Sequence, residues 1–128
     1  MKRCLPNRST TPEAMFDSFL IVDWSAAASP RRGRDSIWCC LHRADGSTDV
    51  ANPPTRGEAA GWIEDCLSAE RAAGRRVLAG FDFPVGYPAG FAAALGLAGE
   101  PWKATWDLLA DLVEDGPANA NNRFEVAN

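Results

Sequence analysis

Short apolar runs separated by turn residues dominate the first part of the chain. "SFLIVDW" (18–24) and "SIWCCLHR" (36–43) are rich in branched and aromatic side chains, which is typical of buried strands. "ADGS" (44–47) carries an Asp-Gly pair that favours a tight hairpin turn, and "TDVANP" (48–53) follows as a short strand. The pattern therefore predicts three strands joined as hairpins.

A helical period follows these strands. A helix over 55–73 is predicted by apolar residues at 59, 62, 63, 66 and 67. Thr55 and Glu58 form a T-x-x-E capping box at its start, and Gly74 lies where a C-terminal cap is expected. "RRVLAGFD" (75–82) is almost continuously apolar, which after a helical crossover indicates a central parallel strand.

The remainder of the chain reads as helical. A short helix is predicted over 89–97 and a longer one over 101–116, and a further element begins within 122–128. The order β–β–β–α–β–α–α predicts an α/β fold with a mixed sheet, in which the fourth strand lies beside the first and parallel to it.

Composition narrows the class of protein. The chain has 128 residues, 46% hydrophobic and 23% charged, which is sufficient for one domain with a core. We interpret residues 1–17 as a disordered leader and 18–128 as the domain. No apolar run approaches the about 20 residues of a membrane span, and the four cysteines form no C-x-x-C pair. We therefore expect free thiols, a reducing compartment and a cytoplasmic protein that does not bind membranes.

Two of the predicted strands end in aspartate, at Asp23 and Asp82. On neighbouring parallel strands these residues would lie about 4.8 Å apart, and carboxylates at that spacing repel unless a proton or cation lies between them. Oxygen ligands suit Mg²⁺ or Mn²⁺. The alternative is that each aspartate only caps its turn. Phe81 and Phe83, which flank Asp82, fit a core strand.

Other polar residues are candidates for the same edge. Glu125 is a third metal ligand, an acid in the first turn of a helix, or a partner of Arg123. The loop after the first strand carries residues suited to phosphate, namely Ser25, Arg31, Arg32 and Arg34. A solvated basic loop is the alternative. P-loop, Rossmann and zincin motifs are absent from the sequence.

"FLIVDWSAAASP" and "RGRDSIW", followed by "VLAGFDFPVGYP", carry a resemblance that covers 18–128. They resemble an uncharacterised bacterial family of predicted nucleases with a ribonuclease H-like fold, whose members have a first strand ending in Asp and a later D-x-P-x-G-x-P. The resemblance implies that Asp23 and Asp82 are catalytic ligands of Mg²⁺ or Mn²⁺. The bound ions would activate water for attack on a phosphodiester of a nucleic acid or nucleotide.

Two departures from that family keep other functions open. The first helix carries no clear acid for the site, because Glu58 already has a capping role. The family fold also continues into a fifth strand and a final helix, so either the chain is part of a longer protein or another chain, such as a second copy, completes the sheet. A non-catalytic binding or regulatory domain remains an alternative. In the related actin-like branch the loop 25–34 would hold a nucleotide phosphate.

Overall fold

The protein is a mixed α/β structure built on a four-stranded mixed sheet, as described by a computed structural model for residues 15–84 and 86–128. The strands are β1 (Ser18–Asp23), β2 (Trp38–Arg43), β3 (Thr48–Ala51) and β4 (Val77–Phe81). Their order across the sheet is β3-β2-β1-β4. β1 pairs with β2 and β2 with β3 in antiparallel fashion, whereas β1 and β4 are parallel. The predicted pairing of the first and fourth strands is therefore confirmed.

Four helices and one 3₁₀ turn accompany the sheet in the described part of the chain. They are α1 (Arg56–Ala72), α2 (Phe91–Ala94), α3 (Pro101–Leu112), the 3₁₀ turn Pro117–Asn119 and α4 (Arg123–Val126). Within the described residues, no helix is both long and apolar enough to cross a membrane.

The two helices predicted over 89–97 and 101–116 are shorter than expected. α2 ends at Ala94, shortly before Gly96, whose left-handed φ of 69° is incompatible with a continuing helix. α3 ends at Leu112, since the backbone of Val113 is extended, and the side chain of Asn122 donates to the Leu112 carbonyl at 2.9 Å. Both endings depend on details that a hydrophobic pattern does not record.

One face of the sheet forms the core. In β1 the buried side chains are Leu20 and Val22, which alternate with exposed residues. α1 covers this face with the apolar stripe expected from its sequence, which includes buried Ala59 and partly buried Trp62, Ile63, Cys66 and Leu67. On the opposite face Phe19, Ile21 and Trp38 remain exposed in the structure.

Both ends of α1 are capped as predicted. The Thr55 hydroxyl accepts a bond from the Glu58 backbone N–H at 3.2 Å. At the other end Gly74, with φ 69°, turns the chain so that the Arg75 N–H bonds to the Glu70 carbonyl at 3.0 Å. This Schellman-type ending leads the chain directly into β4 and places Arg75 beside Glu70.

Glu70 is the buried charge of the structure, with a carboxylate that is 0% exposed. It accepts bonds from Arg75 Nε and Nη2 (2.6 and 2.7 Å), the Ser18 hydroxyl (2.5 Å) and Arg43 Nε (2.7 Å). These partners hold the pKa of the Glu70 carboxyl far below its usual range, with Arg75 making the largest contribution. The cluster joins α1, β1, β2 and the lead-in to β4.

Asp17, which directly precedes β1, is bonded to the segment before β4. Its carboxylate accepts bonds from the backbone N–H of Arg76 at 2.8 Å and from Arg76 Nε at 3.2 Å. These bonds hold the pKa of Asp17 below its usual range. Asp17 is thus anchored in the structure. Of the predicted leader, residues 15–17 are described and residues 1–14 lie outside the described residues.

Replacing Glu70 by Gln should lower the free energy of unfolding by about 2–3 kcal/mol, because two guanidinium groups lose their buried acceptor. The expected loss of stability is smaller than for a fully buried ion pair, because the Arg75 side chain is 39% exposed and water replaces part of the lost interaction. Urea unfolding of wild type and E70Q measures the difference. Glu64→Gln on the exposed surface of α1 is the matched control and should change little.

The contribution of Glu70 should also depend on pH. Because its pKa is lowered in the folded state, its stabilisation is present above the unfolded value of about 4.3 and is lost as the pH falls below it. The difference in unfolding free energy between wild type and E70Q should therefore shrink between about pH 5 and pH 2. A difference that stays constant over this range would contradict the role given to the Glu70 carboxylate.

Candidate functional site

Asp23 and Asp82 meet at one edge of the sheet. Val22 pairs with Phe81 in the parallel register of β1 and β4, so the residues that follow them leave the sheet at the same height. The Asp82 N–H donates to the Val22 carbonyl at 3.3 Å, which continues the pairing one residue past β4. The Trp24 N–H donates to Asp82 Oδ1 at 2.7 Å. The backbone after β1 thus orients the carboxylate after β4.

The carboxyl group of Asp82 affects the ionisation of Asp23. A hydrogen bond with Asp82 raises the pKa of Asp23, and partial loss of hydration and repulsion between the charges act in the same direction. Two ionised carboxylates cannot share a hydrogen bond, so the pair favours a bound proton or a cation. Asp82 also caps a turn, as the alternative predicted, but the turn is not its own. Its carboxylate accepts from the N–H of Trp24, which follows β1, and so links the ends of the two strands.

The aromatic residues beside Asp82 are more exposed than a core strand would leave them. The exposed fractions are 40% for Phe81 and 41% for Phe83, which differs from the core role expected for them. Their ring centroids lie 5.2 Å apart, and Phe83 meets Trp24 edge-on at 6.3 Å. The three rings form one end of an apolar groove of about 490 Å³ between β4 and α1.

The arginine loop is anchored away from Asp82. The Arg31 N–H donates to the Pro54 carbonyl at 3.0 Å, and Arg32 Nη1 donates to the Asn52 carbonyl at 2.5 Å. Asn52 and Pro54 follow β3, which lies at the other side of the sheet from β4. Among the described residues, the loop arginines form no ion pair with either aspartate of the site.

The side chains of the remaining phosphate candidates have local surroundings. Arg34 Nε lies 3.7 Å from the Asp35 carboxylate, and both side chains are exposed. The Ser25 hydroxyl accepts a bond from the Ala27 N–H at 3.3 Å and shapes the start of the loop. Arg34 is therefore oriented toward solvent, whereas Ser25 has a structural contact.

The side chain of Asn52 holds the loop in place, a role that no motif in the sequence indicates. Its amide donates to the Ser36 hydroxyl at 2.8 Å and the Ile37 carbonyl at 2.5 Å, and its Oδ1 accepts from the Gly33 N–H at 2.6 Å. Ser36 and Ile37 consequently belong to the loop, and β2 begins at Trp38, two residues later than predicted.

Glu125 lies in the first turn of α4 and is exposed, which matches one of its three predicted roles. Across residues 15–84 and 86–128, no group of three or more His, Cys, Asp and Glu side chains is arranged to hold a metal ion. The structure thus brings Asp23 and Asp82 together without Glu125. Arg123 does not pair with Glu125 but stacks over the Phe124 ring at 4.6 Å.

Arg56, at the start of α1, is the centre of a second cluster at this edge. Its guanidinium donates to the Asp115 carboxylate, to the Ala27 carbonyl at 2.9 Å and to the Asn119 carbonyl at 2.9 Å. Asn119 is 5% exposed, and its Oδ1 accepts from the Arg56 N–H at 2.7 Å. The cluster joins the arginine loop, α1 and the segment after α3 into one support behind the strand ends.

No family model, curated protein or solved structure matched the chain when it was compared with each of these sets. The function must therefore be inferred from the geometry of the strand ends and from the two sequence motifs that form them.

Replacing Asp82 by Asn should raise the melting temperature by a few degrees at neutral pH in the absence of divalent cations. The raised pKa of Asp23 means that the folded pair is favoured when protonated, so its stability is lost as the pH rises through that pKa. An amide removes this repulsion and keeps an acceptor for the Trp24 N–H. The advantage of D82N should therefore vanish in acid.

Thermal melts in a chelating buffer across the pH range measure this effect. Asp65→Asn on exposed α1 is the matched control and should not show the same pH dependence. A D82N variant that is less stable than wild type at neutral pH would mean that Asp82 acts mainly as a turn cap.

Proposed function

We propose that Asp23 and Asp82 bind Mg²⁺ or Mn²⁺ and that the protein is a metal-dependent phosphodiester hydrolase of ribonuclease H-like fold. The observation that carries the proposal is the position of Asp23 and Asp82 at the matched ends of adjacent parallel strands, where the Trp24 N–H orients the Asp82 carboxylate. The strand order β3-β2-β1-β4 supports it, because the family that the sequence resembles places its acids on the first and fourth strands.

The donor set fits a hard cation. Mg²⁺ is commonly held by one or two carboxylates together with water and substrate phosphate, so two acids on an exposed edge are sufficient for one ion. When bound, such an ion lowers the pKa of a coordinated water and neutralises charge on the phosphate. The Trp24 N–H fixes the orientation of Asp82, and Asp23 supplies the facing oxygen. The carboxylates would thus hold substrate and nucleophile at one edge.

The arginine loop, which is anchored on the β3 side of the sheet, would contact phosphates of a bound nucleic acid that lie away from the acid pair. The side chain of Arg34 is 95% exposed and therefore accessible to a phosphate. Arg32 is engaged with the Asn52 carbonyl and would keep the loop in shape. We assign phosphate binding to Arg31 and Arg34, whose guanidinium groups form bidentate contacts well.

A non-catalytic cation-binding domain is the second candidate. It is favoured by the lack of a third acid beside the pair in the described part of the chain, because two-metal hydrolysis needs more ligands than two carboxylates provide. Such a domain would bind the cation at the same two aspartates but would not hydrolyse phosphodiesters.

Magnesium titration separates these possibilities. The melting temperature of wild type and of D65N should rise with Mg²⁺ or Mn²⁺, whereas that of D23N and D82N should not respond, since each lacks one ligand. Hydrolysis of labelled single- and double-stranded oligonucleotides and nucleotides should fall at least about 100-fold in D23N.

Each outcome of that experiment points to one conclusion. Metal-dependent stabilisation with hydrolysis supports the hydrolase. Stabilisation without hydrolysis of any of these substrates supports the cation-binding domain. A wild-type protein that does not respond to either cation overturns both.

Replacing Arg34 by Gln should weaken oligonucleotide binding and reduce its salt dependence by about one released counterion, with little change in stability. Fluorescence anisotropy at several salt concentrations measures the slope. Arg71→Gln on the exposed surface of α1 is the matched control and should leave the slope unchanged. Equal slopes for R34Q and wild type would remove Arg34 from the phosphate contacts.

A further inference from the structure

The outer edge of β4 is unpaired within the described part of the chain. β4 lies at the end of the sheet, and its only strand partner there is β1. The Asp82 N–H points to β1, and backbone groups alternate along a strand. Those of Leu78 and Gly80 therefore also face β1, and those of Val77, Ala79 and Phe81 face outward.

The two edges of the sheet differ in their protection. β3 is four residues long, and its Asp49 forms an ion pair with Arg43 at 2.8 Å, so this edge is short and charged. β4 reads "VLAGF" and contains no charge and no proline. The side chain of Ala79 is exposed, which leaves the backbone beside it accessible. Edge strands of this kind pair readily with another strand.

An apolar groove runs along the same edge. The groove of about 490 Å³ between β4 and α1 is lined mainly by Trp24, Ile63, Leu67, Phe81 and Phe83. An open strand edge beside exposed aromatic rings is typical of a surface that binds another polypeptide.

We propose that a second copy of this chain pairs its β4 antiparallel to this β4, about a two-fold axis at Ala79. Val77 of each copy then lies opposite Phe81 of the other, and Ala79 lies opposite Ala79. All three positions carry outward backbone groups, so the strands exchange about six hydrogen bonds. The result is one continuous sheet across the dimer.

The sequence around β4 is complementary to itself in this register. Leu78 lies opposite Gly80, which pairs a large side chain with the smallest residue. Arg76, which also binds Asp17, lies opposite Asp82 of the other copy, which pairs opposite charges.

Other registers lose these matches. A shift by two residues places either Asp82 opposite Leu78 or Arg76 opposite Gly80, and it shortens the paired segment. A shift by one residue sets outward backbone groups against inward ones. A closed, symmetric dimer is the assembly that satisfies the edge in both copies at once.

Light scattering after size-exclusion chromatography of the full chain at micromolar concentration tests the proposal. Wild type and Ala79→Val should elute as dimers. Ala79→Pro should be monomeric, because proline removes an outward N–H at the centre of the pairing. Proline is tolerated where the N–H of an edge strand faces outward, so the fold should persist by circular dichroism.

Hydrogen exchange distinguishes this interface from any other. In the wild-type dimer the amides of Val77, Ala79 and Phe81 should exchange slowly. In A79P the remaining two should exchange at least about tenfold faster, whereas Leu78 and Gly80, bonded to β1, stay protected.

Three results would overturn the proposal. The first is a monomeric wild type, whether its β4 edge is exposed or covered by another segment of the chain. The second is a dimer that A79P leaves intact. The third is an assembly with a different protein in place of the second copy. The magnesium response of A79P is measured in parallel. If the A79P monomer still responds to magnesium, the metal site does not depend on this interface.

Discussion

The buried carboxylate of Glu70 is the constraint on which the alignment of the sheet depends. It binds Ser18, the first residue of β1, and Arg75, which lies two residues before β4. Ser18 pairs with Val77 at the start of the parallel ladder, so the cluster fixes the two strands at one end. A slip of one residue would turn every side chain of β4 to the other face. The same register brings Asp82 beside Asp23 at the far end of the two strands. The acid pair therefore depends on the buried ion cluster around Glu70 at the other end of β1 and β4.

Both clusters that support α1 place charge against the helix dipole. Arg56 occupies the first helical position and Glu70 the last turn, where each charge is unfavourable in an isolated helix. Tertiary partners compensate for these unfavourable positions. Arg56 is bound by Asp115 and two carbonyls, and Glu70 is bound by two guanidinium groups and a hydroxyl. Such misplaced charges are a signal that sequence reasoning could have used, since they indicate that a helix end is bound to something outside the helix.

The sequence predicted those features that arise from local pattern. The alternation in β1, the apolar stripe of α1 and the Thr55–Glu58 cap each follow from residues a few positions apart, and the strand order follows from topology. The convergence of Asp23 and Asp82 was accessible for the same reason. Asn52 and Asn119 were not, because their bonds join residues 15 to 90 positions apart and leave no periodic trace. The placement of the arginine loop depends on those bonds, so its position on the β3 side of the sheet could not be read from the sequence.

The charge of Asp82 belongs both to the proposed metal site and to the proposed β4 interface. In the folded chain its carboxylate meets Asp23, and this repulsion is relieved by a proton or a divalent cation. In a β4-paired dimer Arg76 of the second copy would lie beside the same carboxylate and relieve it in part. Two partners that neutralise one charge oppose each other, and by linkage each weakens the binding of the other by the same factor. A site whose acids repel in the free chain is thus sensitive both to the cation it binds and to the strand beside it.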